Sequence, residues 1–168
     1  MYMFLSNQCE SCIQISVFDG SGKSNFQKRR ELTGPLLTQL DDACNFMDRY
    51  NRTRSEFSGL DRIDRRDYPT EALREALVYA MIHRDYTVKG DLLIHIFDDR
   101  IEIVTIGGSA LKNKQLAHIF QELHLTKACG TGIEEIQKCY GQQKVKPQME
   151  VSSHAFKITL PNLNFPPS

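Results

Sequence analysis

The sequence carries no excess of charge of either sign. Its 168 residues hold 21 Lys and Arg against 21 Asp and Glu, so the formal net charge is zero at pH 7. A protein that binds nucleic acid by itself usually has a basic excess, because contacts with phosphates supply most of its affinity. The balance argues against a stand-alone nucleic-acid binder, although it leaves room for a local basic patch.

Long hydrophobic runs and a secretion signal are also absent from the sequence. No stretch reaches the roughly 18 apolar residues that a membrane-spanning helix needs. The N-terminal residues lack the basic start and apolar run of a signal peptide. The five cysteines are then expected to be free thiols in a reducing compartment. We therefore expect a cytoplasmic protein with no membrane partner.

The length and the hydrophobic pattern predict one globular α+β unit. Hydrophobic residues make up 40% of the chain and charged residues 25%, values typical of folded domains. Residues 51–68 are charged and only weakly periodic, so no element is predicted there. Periodicity elsewhere predicts strands at 12–18, 92–97, 100–106, 148–151 and 155–160, and helices at 35–50, 69–83, after Asn113 as a cap, and after Gly132. We expect a two-layer sandwich in which helices cover one face of a mostly antiparallel sheet.

Three short motifs contain only part of the residues that a known kind of site requires. Gly22-Lys23-Ser24 follows a strand but lacks the earlier glycine of a phosphate-binding loop, so we interpret it as a turn. Cys9 and Cys12 have the spacing of half a zinc or redox site, but no second ligand pair follows at suitable spacing. His83-Arg84-Asp85 repeats a kinase tripeptide without the asparagine that kinases place five residues later.

The helix that starts at Pro69 carries a polar stripe beside its apolar one. Glu71, Glu75, Tyr79 and His83 follow one another at intervals of four residues and so share one face of the helix. Such a stripe is either a solvated flank or the polar wall of a cleft. The sequence leaves both interpretations open.

Two glycine pairs follow this helix along the chain. Gly107 and Gly108 end a predicted strand, and Gly130-Thr131-Gly132 opens a predicted helix. Free backbone N–H groups at a helix start attract phosphate, and glycine allows the close approach that this requires. Each motif is weak alone, but a carboxylate-bearing helix, a hairpin, a glycine turn and a second glycine pair in this order indicate a phosphate-binding cleft.

This order of motifs, together with the amino-acid sequence of residues 71–86, resembles the C-terminal ATPase-like domain of RecG-related bacterial transcriptional regulators. Further support comes from residues 97–103, 116–120, 130–133 and 160–162. The resemblance extends over residues 67–162 and is fainter over 13–50. It implies a GHKL (Bergerat) ATP-binding fold, with an ATPase-like core at 67–168. Residues 1–66 would supply a strand, a helix and a linker packed on the same domain.

The resemblance also implies partners. In such regulators a separate Schlafen/AlbA-type domain precedes this one and binds DNA, so the chain looks like a fragment or a reduced version of a longer protein. A homo-oligomer is expected, and DNA would be bound only through that separate domain. A direct DNA contact through the six arginines of residues 49–66 is a further hypothesis.

The resemblance implies a nucleotide site at which this sequence lacks several of the family's residues. Glu75 matches the water-activating glutamate, whereas Tyr79 stands where relatives have the asparagine that holds Mg²⁺. Gly107 is what remains of an Asn-Pro-Gly motif, and only three residues separate Gly108 from Lys112, where relatives carry a lid. The implied nucleotide-binding residues are Glu75, Tyr79, Gly107, Gly108, Gly130, Thr131 and Gly132.

From these departures we expect a regulatory or assembly domain with a degenerate cleft that does not hydrolyse ATP. The alternative is a residual binder of ATP or ADP with Mg²⁺, or a slow ATPase in which Glu75 is catalytic. No resident metal is predicted, because no set of ligand-type residues has metal-site spacing.

Overall fold

A computed structural model of the chain describes residues 11–107, 113–126 and 131–166. These residues form eight strands and four helices. The strands are β1 (Ile13–Phe18), β2 (Phe26–Leu32), β3 (Thr53–Ser58), β4 (Asp61–Arg66), β5 (Leu92–Ile96), β6 (Arg100–Ile106), β7 (Gln148–Val151) and β8 (Ala155–Pro161). The helices are α1 (Leu36–Tyr50), α2 (Thr70–His83), α3 (Lys114–Glu122) and α4 (Gly132–Tyr140).

Six strands form one mixed sheet in the order β2-β1-β5-β6-β8-β7. Its neighbouring strands are antiparallel except for β1 and β5, which are parallel. Strand β1 thus places the N-terminal part of the chain in the same sheet as the predicted core. Strands β3 and β4 form a separate two-stranded antiparallel sheet.

A row of isoleucines crosses the centre of the six-stranded sheet. Ile15 pairs with Ile94, Ile94 with Ile103, and Ile103 with Ile158. All four are at most 2% exposed, because they point toward the helices. Successive residues of a strand point to opposite faces, so this register buries one face of the sheet and leaves the other open to half-buried and polar side chains.

Helices α1 and α2 cover that inner face. The apolar stripe of α1 includes Leu36, Leu40 and Met47, which are buried in the same core as the isoleucines. Helix α2 presents Ala72, Ala76 and Ala80, each 0% exposed. These small side chains let the helix lie close to the sheet. Helices α3 and α4 pack on α2 from the side.

The strongly periodic elements were predicted correctly, and the exposed ones were missed. The predicted helices at 35–50 and 69–83, the strand at 12–18 and the 92–106 hairpin are confirmed. The strands β2, β3 and β4 were not predicted. Apart from Leu32 and the half-buried Arg66, all their residues are exposed, so these strands show no alternation of buried and polar positions.

Two local predictions need correction. Asn113 precedes α3, but its side chain makes no capping hydrogen bond to that helix. The last strand was expected at 155–160, whereas β8 includes Pro161 as its final residue, paired with Arg100. A proline is tolerated there because the strand ends at that point.

No helix in the described part of the chain is both long and apolar enough to cross a membrane.

Replacing Ile103 with Asp is expected to destabilise the protein by at least about 3 kcal/mol, because it buries an unpaired charge in the centre of the core. Val104→Asp is the matched control, since the neighbouring side chain points to the open face of the sheet and is half-buried. Chemical denaturation of both variants measures the difference. Equal stabilities would contradict the assignment of the two faces.

Candidate functional site

Helix α2 brings three of the four residues of its polar stripe into the protein. Glu71 is exposed in the first turn, whereas Glu75 and His83 are only 4% and 8% exposed and Tyr79 is half-buried. The stripe is therefore not a solvated flank. It faces α4 and the end of the sheet, as a wall of a cleft would.

Tyr79 belongs to an aromatic cluster with His83 and Phe156. The rings of Tyr79 and His83 are stacked, with centroids 4.0 Å apart and an interplanar angle of 20°. Phe156 of β8 meets the Tyr79 ring edge-on at 5.6 Å. Burial raises the pKa of Tyr79, so the phenol keeps its proton at neutral pH.

Gly132, the first residue of α4, lies directly against Tyr79. A Cβ atom added to Gly132 would be 3.1 Å from Cδ2 of Tyr79, which is tighter than ordinary contact. Glycine thus lets the start of α4 approach the ring. The consequence is that an aromatic side chain lies against the helix start that the sequence predicted to face phosphate.

Gly107 joins the end of β6 to the end of α2. Its φ is +148°, and a Cβ atom there would lie 2.3 Å from the backbone oxygen of His83. Its N–H donates to the His154 carbonyl at 2.8 Å, and the neighbouring Ile106 carbonyl accepts from the Asp85 N–H at 2.9 Å. This position requires glycine for packing, whatever the cleft binds.

Glu75 is a buried carboxylate held by the residues that follow α3. The Thr126 hydroxyl donates to Oε2 of Glu75 at 3.4 Å, and the Arg74 guanidinium lies 3.9 Å from Oε1. Thr126 also lines an open pocket of about 560 Å³ with residues of α3 and its C-terminal turn. Thr126 therefore lies between the buried Glu75 and a space that a small polar ligand could enter.

The predicted site residues come together only in part. Glu75 and Tyr79 are one turn apart on α2, and Tyr79 contacts Gly132. Gly107 packs against His83, one turn further along. Thr131 precedes α4, and its carbonyl accepts the Glu135 N–H at 2.9 Å. Gly108, Gly130 and the shortened lid segment lie outside the described residues.

Two residues organise this region through contacts that the sequence did not predict. The Asn113 side-chain amide donates to the carbonyls of Ile82 and Arg84, at 2.9 and 2.6 Å, and so satisfies the C-terminal end of α2. Arg84 is 2% exposed, and its guanidinium donates to the Cys12 and Gly90 carbonyls. The contacts of Asn113 with the end of α2, and of Arg84 with Cys12, join residues distant in sequence, which only the fold brings together.

The structure also accounts for two of the incomplete motifs. Gly22-Lys23-Ser24 lies in the exposed loop between β1 and β2, so a strand rather than a helix follows it. Cys12 is buried, and burial together with Asp91 raises the pKa of its thiol to about 12. A thiol that stays protonated is a poor nucleophile and a poor metal ligand. Cys9 lies outside the described residues.

A second cavity of about 450 Å³ lies at the opposite edge of the sheet. It adjoins the end of β5, whereas Gly107 follows the end of the antiparallel strand β6. Asp98, Arg52 and Tyr68 are among its lining residues. The Tyr68 hydroxyl is buried with no hydrogen-bond partner among the described residues. The cavity has charges of both signs and is separate from the cleft beside α2.

The open face of the sheet carries a cluster of three polar side chains, Arg100, Glu102 and His95. Arg100 donates to Glu102 at 2.8 Å, and Nδ1 of His95 lies 3.7 Å from the same carboxylate. Although burial opposes the charged form of Glu102, the hydrogen bond from Arg100 holds its pKa below the usual range. Burial lowers the pKa of His95, so the imidazole favours its neutral form. This arrangement explains how a carboxylate can sit within a sheet strand.

Within the ranges that the structure describes, no group of three or more His, Cys, Asp and Glu side chains is placed to hold a metal ion.

A search of solved structures finds chains with a similar fold. The crystal structure of the DIP2311 protein from Corynebacterium diphtheriae matches 96% of this chain with a TM-score of 0.86 and 21% identity. The matched part is 36% of that chain, so this sequence spans about a third of its length. A scan against protein-family models and a search of curated proteins both find no match. At this identity the likeness establishes a shared α+β fold and nothing more.

Gly107→Ala is expected to lower the melting temperature more than Gly20→Ala. Both glycines have positive φ, at +148° and +74°, so both substitutions strain the backbone. Only at Gly107 would the new methyl also collide with a carbonyl oxygen, since nothing lies within 4 Å of the equivalent atom at Gly20. Thermal unfolding of the two variants measures the difference. Equal effects would show that α2 and β6 are not packed as described.

Proposed function

We propose that this chain is a regulatory and assembly domain of the RecG-related class of bacterial transcriptional regulators, non-catalytic, with a degenerate GHKL-type ATP cleft. The observation that carries the proposal is the position of Tyr79. Its ring lies between His83 and Gly132, in the place where the resemblance puts a metal-holding asparagine and a phosphate-binding helix start.

The chemistry of Tyr79 does not fit Mg²⁺. This ion prefers small, hard oxygen ligands in octahedral geometry. Tyr79 offers a bulky phenol whose pKa is raised by burial, so it carries no negative charge at neutral pH. A nucleotide triphosphate at this position would lack the cation that neutralises its charge.

The packing around Tyr79 supports a structural role for the former cleft. Aromatic pairs contribute about 0.5–1.5 kcal/mol each beyond the area that they bury. Tyr79 makes two such contacts, with His83 and with Phe156. Tyr79, which the resemblance places in the nucleotide site, thus packs on neighbouring side chains and stabilises the contact between α2, α4 and β8.

The proposed role in assembly follows from the resemblance. In RecG-related regulators DNA is bound by a separate N-terminal domain, so a domain of the present kind would bring copies of the regulator together. This chain would act as a homo-oligomer and contact DNA only through such a domain. The arginines of residues 49–66 are then not needed for DNA binding.

The test is a calorimetric titration of wild-type protein and Tyr79→Asn with ATP and ADP, with and without Mg²⁺. We expect no binding by wild type at micromolar concentrations. Tyr79→Asn removes the ring and supplies an amide oxygen, so any gain of affinity is expected in that variant. Tyr50→Asn, on α1, is the matched control and is expected to behave as wild type. Micromolar Mg-ATP binding by wild type that Tyr79→Asn does not improve would overturn the proposal.

The second candidate is a residual nucleotide binder or slow ATPase, and buried Glu75 favours it. A carboxylate that is only 4% exposed is costly to bury, and the hydroxyl that donates to Glu75 belongs to Thr126, which lines an open pocket. Under our proposal, steady-state ATP turnover with Mg²⁺ stays at background in both wild type and Glu75→Gln. Turnover above background that Glu75→Gln abolishes would establish the second candidate instead.

A further inference from the structure

Strands β3 and β4 form an arm, residues 53–66, that stands apart from the core. All its residues are exposed except Arg66, which is half-buried. Arg66 anchors the base, where its guanidinium donates to Asp48, to the Asn51 carbonyl and to the Thr70 hydroxyl. The arm also exposes three large apolar side chains, Phe57 at 75%, Leu60 at 103% and Ile63 at 49%.

An isolated two-stranded sheet is marginally stable in water, because it has no buried face. Among the described residues, each strand of the arm also leaves one edge of its backbone without a neighbouring strand. Proteins usually protect such edges with short strands, proline, a β-bulge or charged side chains, most often lysine. The arm has neither proline nor lysine, and its register is regular from Thr53 to Arg66. The arm is thus built like half of a larger sheet.

Strand β4 is complementary in charge to a second copy of itself. Its central residues read Asp61-Arg62-Ile63-Asp64-Arg65. When two such strands run antiparallel about a two-fold axis at Ile63, Arg62 lies opposite Asp64 of the second copy. In the same register Asp61 lies opposite Arg65 of the second copy, and the two Ile63 side chains meet at the axis.

The alternative registers of the same pairing are unfavourable. Registers that keep opposite side chains on the same face differ by two residues. A shift by two in one direction places Arg62 opposite Arg62 of the second copy, and a shift in the other direction places Asp64 opposite Asp64. Like charges directly opposite each other destabilise a pair of strands. A single register therefore satisfies all four charged residues.

We propose that β4 pairs antiparallel with β4 of a second copy of this chain, centred on Ile63, so that two arms form one four-stranded sheet. Two-fold symmetry allows the same patch to serve both partners. Asp64 already interacts with Arg62 of its own strand at 2.8 Å, and that pair would join its symmetry equivalent on one face of the sheet. The inference deepens the assembly role proposed above by naming its surface.

Asp61 and Arg65 give the sharpest test, because they can meet only between copies. Among the described residues neither side chain has an ion-pair or side-chain hydrogen-bond partner. Four residues of an extended strand span about 13 Å, which is too far for an ion pair within one strand. A change at either position therefore alters the contact between copies without removing a contact that holds the arm itself.

The experiment measures the mass of the protein in solution by light scattering and by sedimentation, from micromolar to about 100 µM, a range suited to a short interface. We expect the wild-type mass to rise from the 19.3 kDa of one chain toward twice that value. Asp61→Arg and Arg65→Asp should each stay at one chain, because each places like charges opposite each other twice. An equimolar mixture of the two variants should recover the mass of two chains, since both contacts then pair opposite charges.

Glu56→Arg is the matched control, because it makes the same change of charge on β3 rather than on β4. We expect it to assemble as wild type does. Circular dichroism and thermal unfolding should be unchanged in all three variants, since the altered side chains are exposed. Recovery of assembly in the mixture excludes misfolding as the cause of the monomeric state of the single variants.

Cysteine cross-linking measures the register in which the two β4 strands pair. Residues opposite each other in antiparallel strands have Cα atoms about 4.5–5.5 Å apart, a distance that a disulfide can bridge. Ile63→Cys should therefore form a dimer linked through position 63 on mild oxidation. Leu60→Cys, at the fully exposed tip of the arm, should form far less of the disulfide-linked dimer. Equal cross-linking of both variants would show that the strands do not pair at Ile63.

Two results would overturn the proposed pairing of the arms. One of them leaves the assembly role in place, and the other excludes it. If wild type forms dimers that neither charge reversal disturbs, another surface holds the copies together and the assembly role stands. If wild type stays a monomer throughout the concentration range, this chain does not assemble through the arm or through any other surface. Nucleotide titration tests the degenerate cleft independently of both.

Discussion

The structure depends on the burial of helix α2 between the sheet and the other helices. Ten of its 14 residues are buried, including Glu75 and His83. A helix surrounded on so many sides must be apolar around most of its circumference, and every polar group that it keeps must find a partner. The Thr126 hydroxyl, the Asn113 amide and the stacked Tyr79 ring meet these needs. Asn113 and Thr126 lie on either side of α3. The ring of Tyr79 contacts Gly132 of α4 and Phe156 of β8, so the position of α2 constrains α3, α4 and β8.

The same constraint explains how a ligand cleft can become part of a core. A polar stripe on a buried helix must face either a ligand or a protein partner. In this chain the middle of the stripe is Tyr79, whose ring contacts His83, Phe156 and Gly132. A single large side chain in this position can supply by packing the contacts that a bound molecule would otherwise make. The proposed loss of catalysis and the stability of the fold would then have one physical cause.

The arm shows the opposite situation. Its strands have no core to cover them, and their exposed apolar residues and free edges are of the kind that proteins reserve for interactions. In the interior, contacts between distant residues hold the chain together. In the arm, the alternating charges of β4 would specify one partner and one register in the pairing that we propose. The core and the arm would thus serve separate purposes, stability in the first and assembly in the second.

The sequence by itself determined the elements whose pattern reflects burial. The alternation at residues 92–106 and the apolar stripes of α1 and α2 predicted strands and helices, because a residue on the inner face must be apolar wherever the fold places it. The spacing of Glu75 and Tyr79 likewise placed both on one face of one helix.

The exposed strands β2, β3 and β4 could not be predicted in this way, because no buried face leaves a pattern in them. The contacts of Tyr79 with Gly132, of Gly107 with the His83 carbonyl, and of Asn113 with the end of α2 were decided only by the tertiary structure. Each joins segments 24 to 53 residues apart along the chain. Local spacing carries no information about such distances, whereas close packing of α2 against the sheet and α4 determines them.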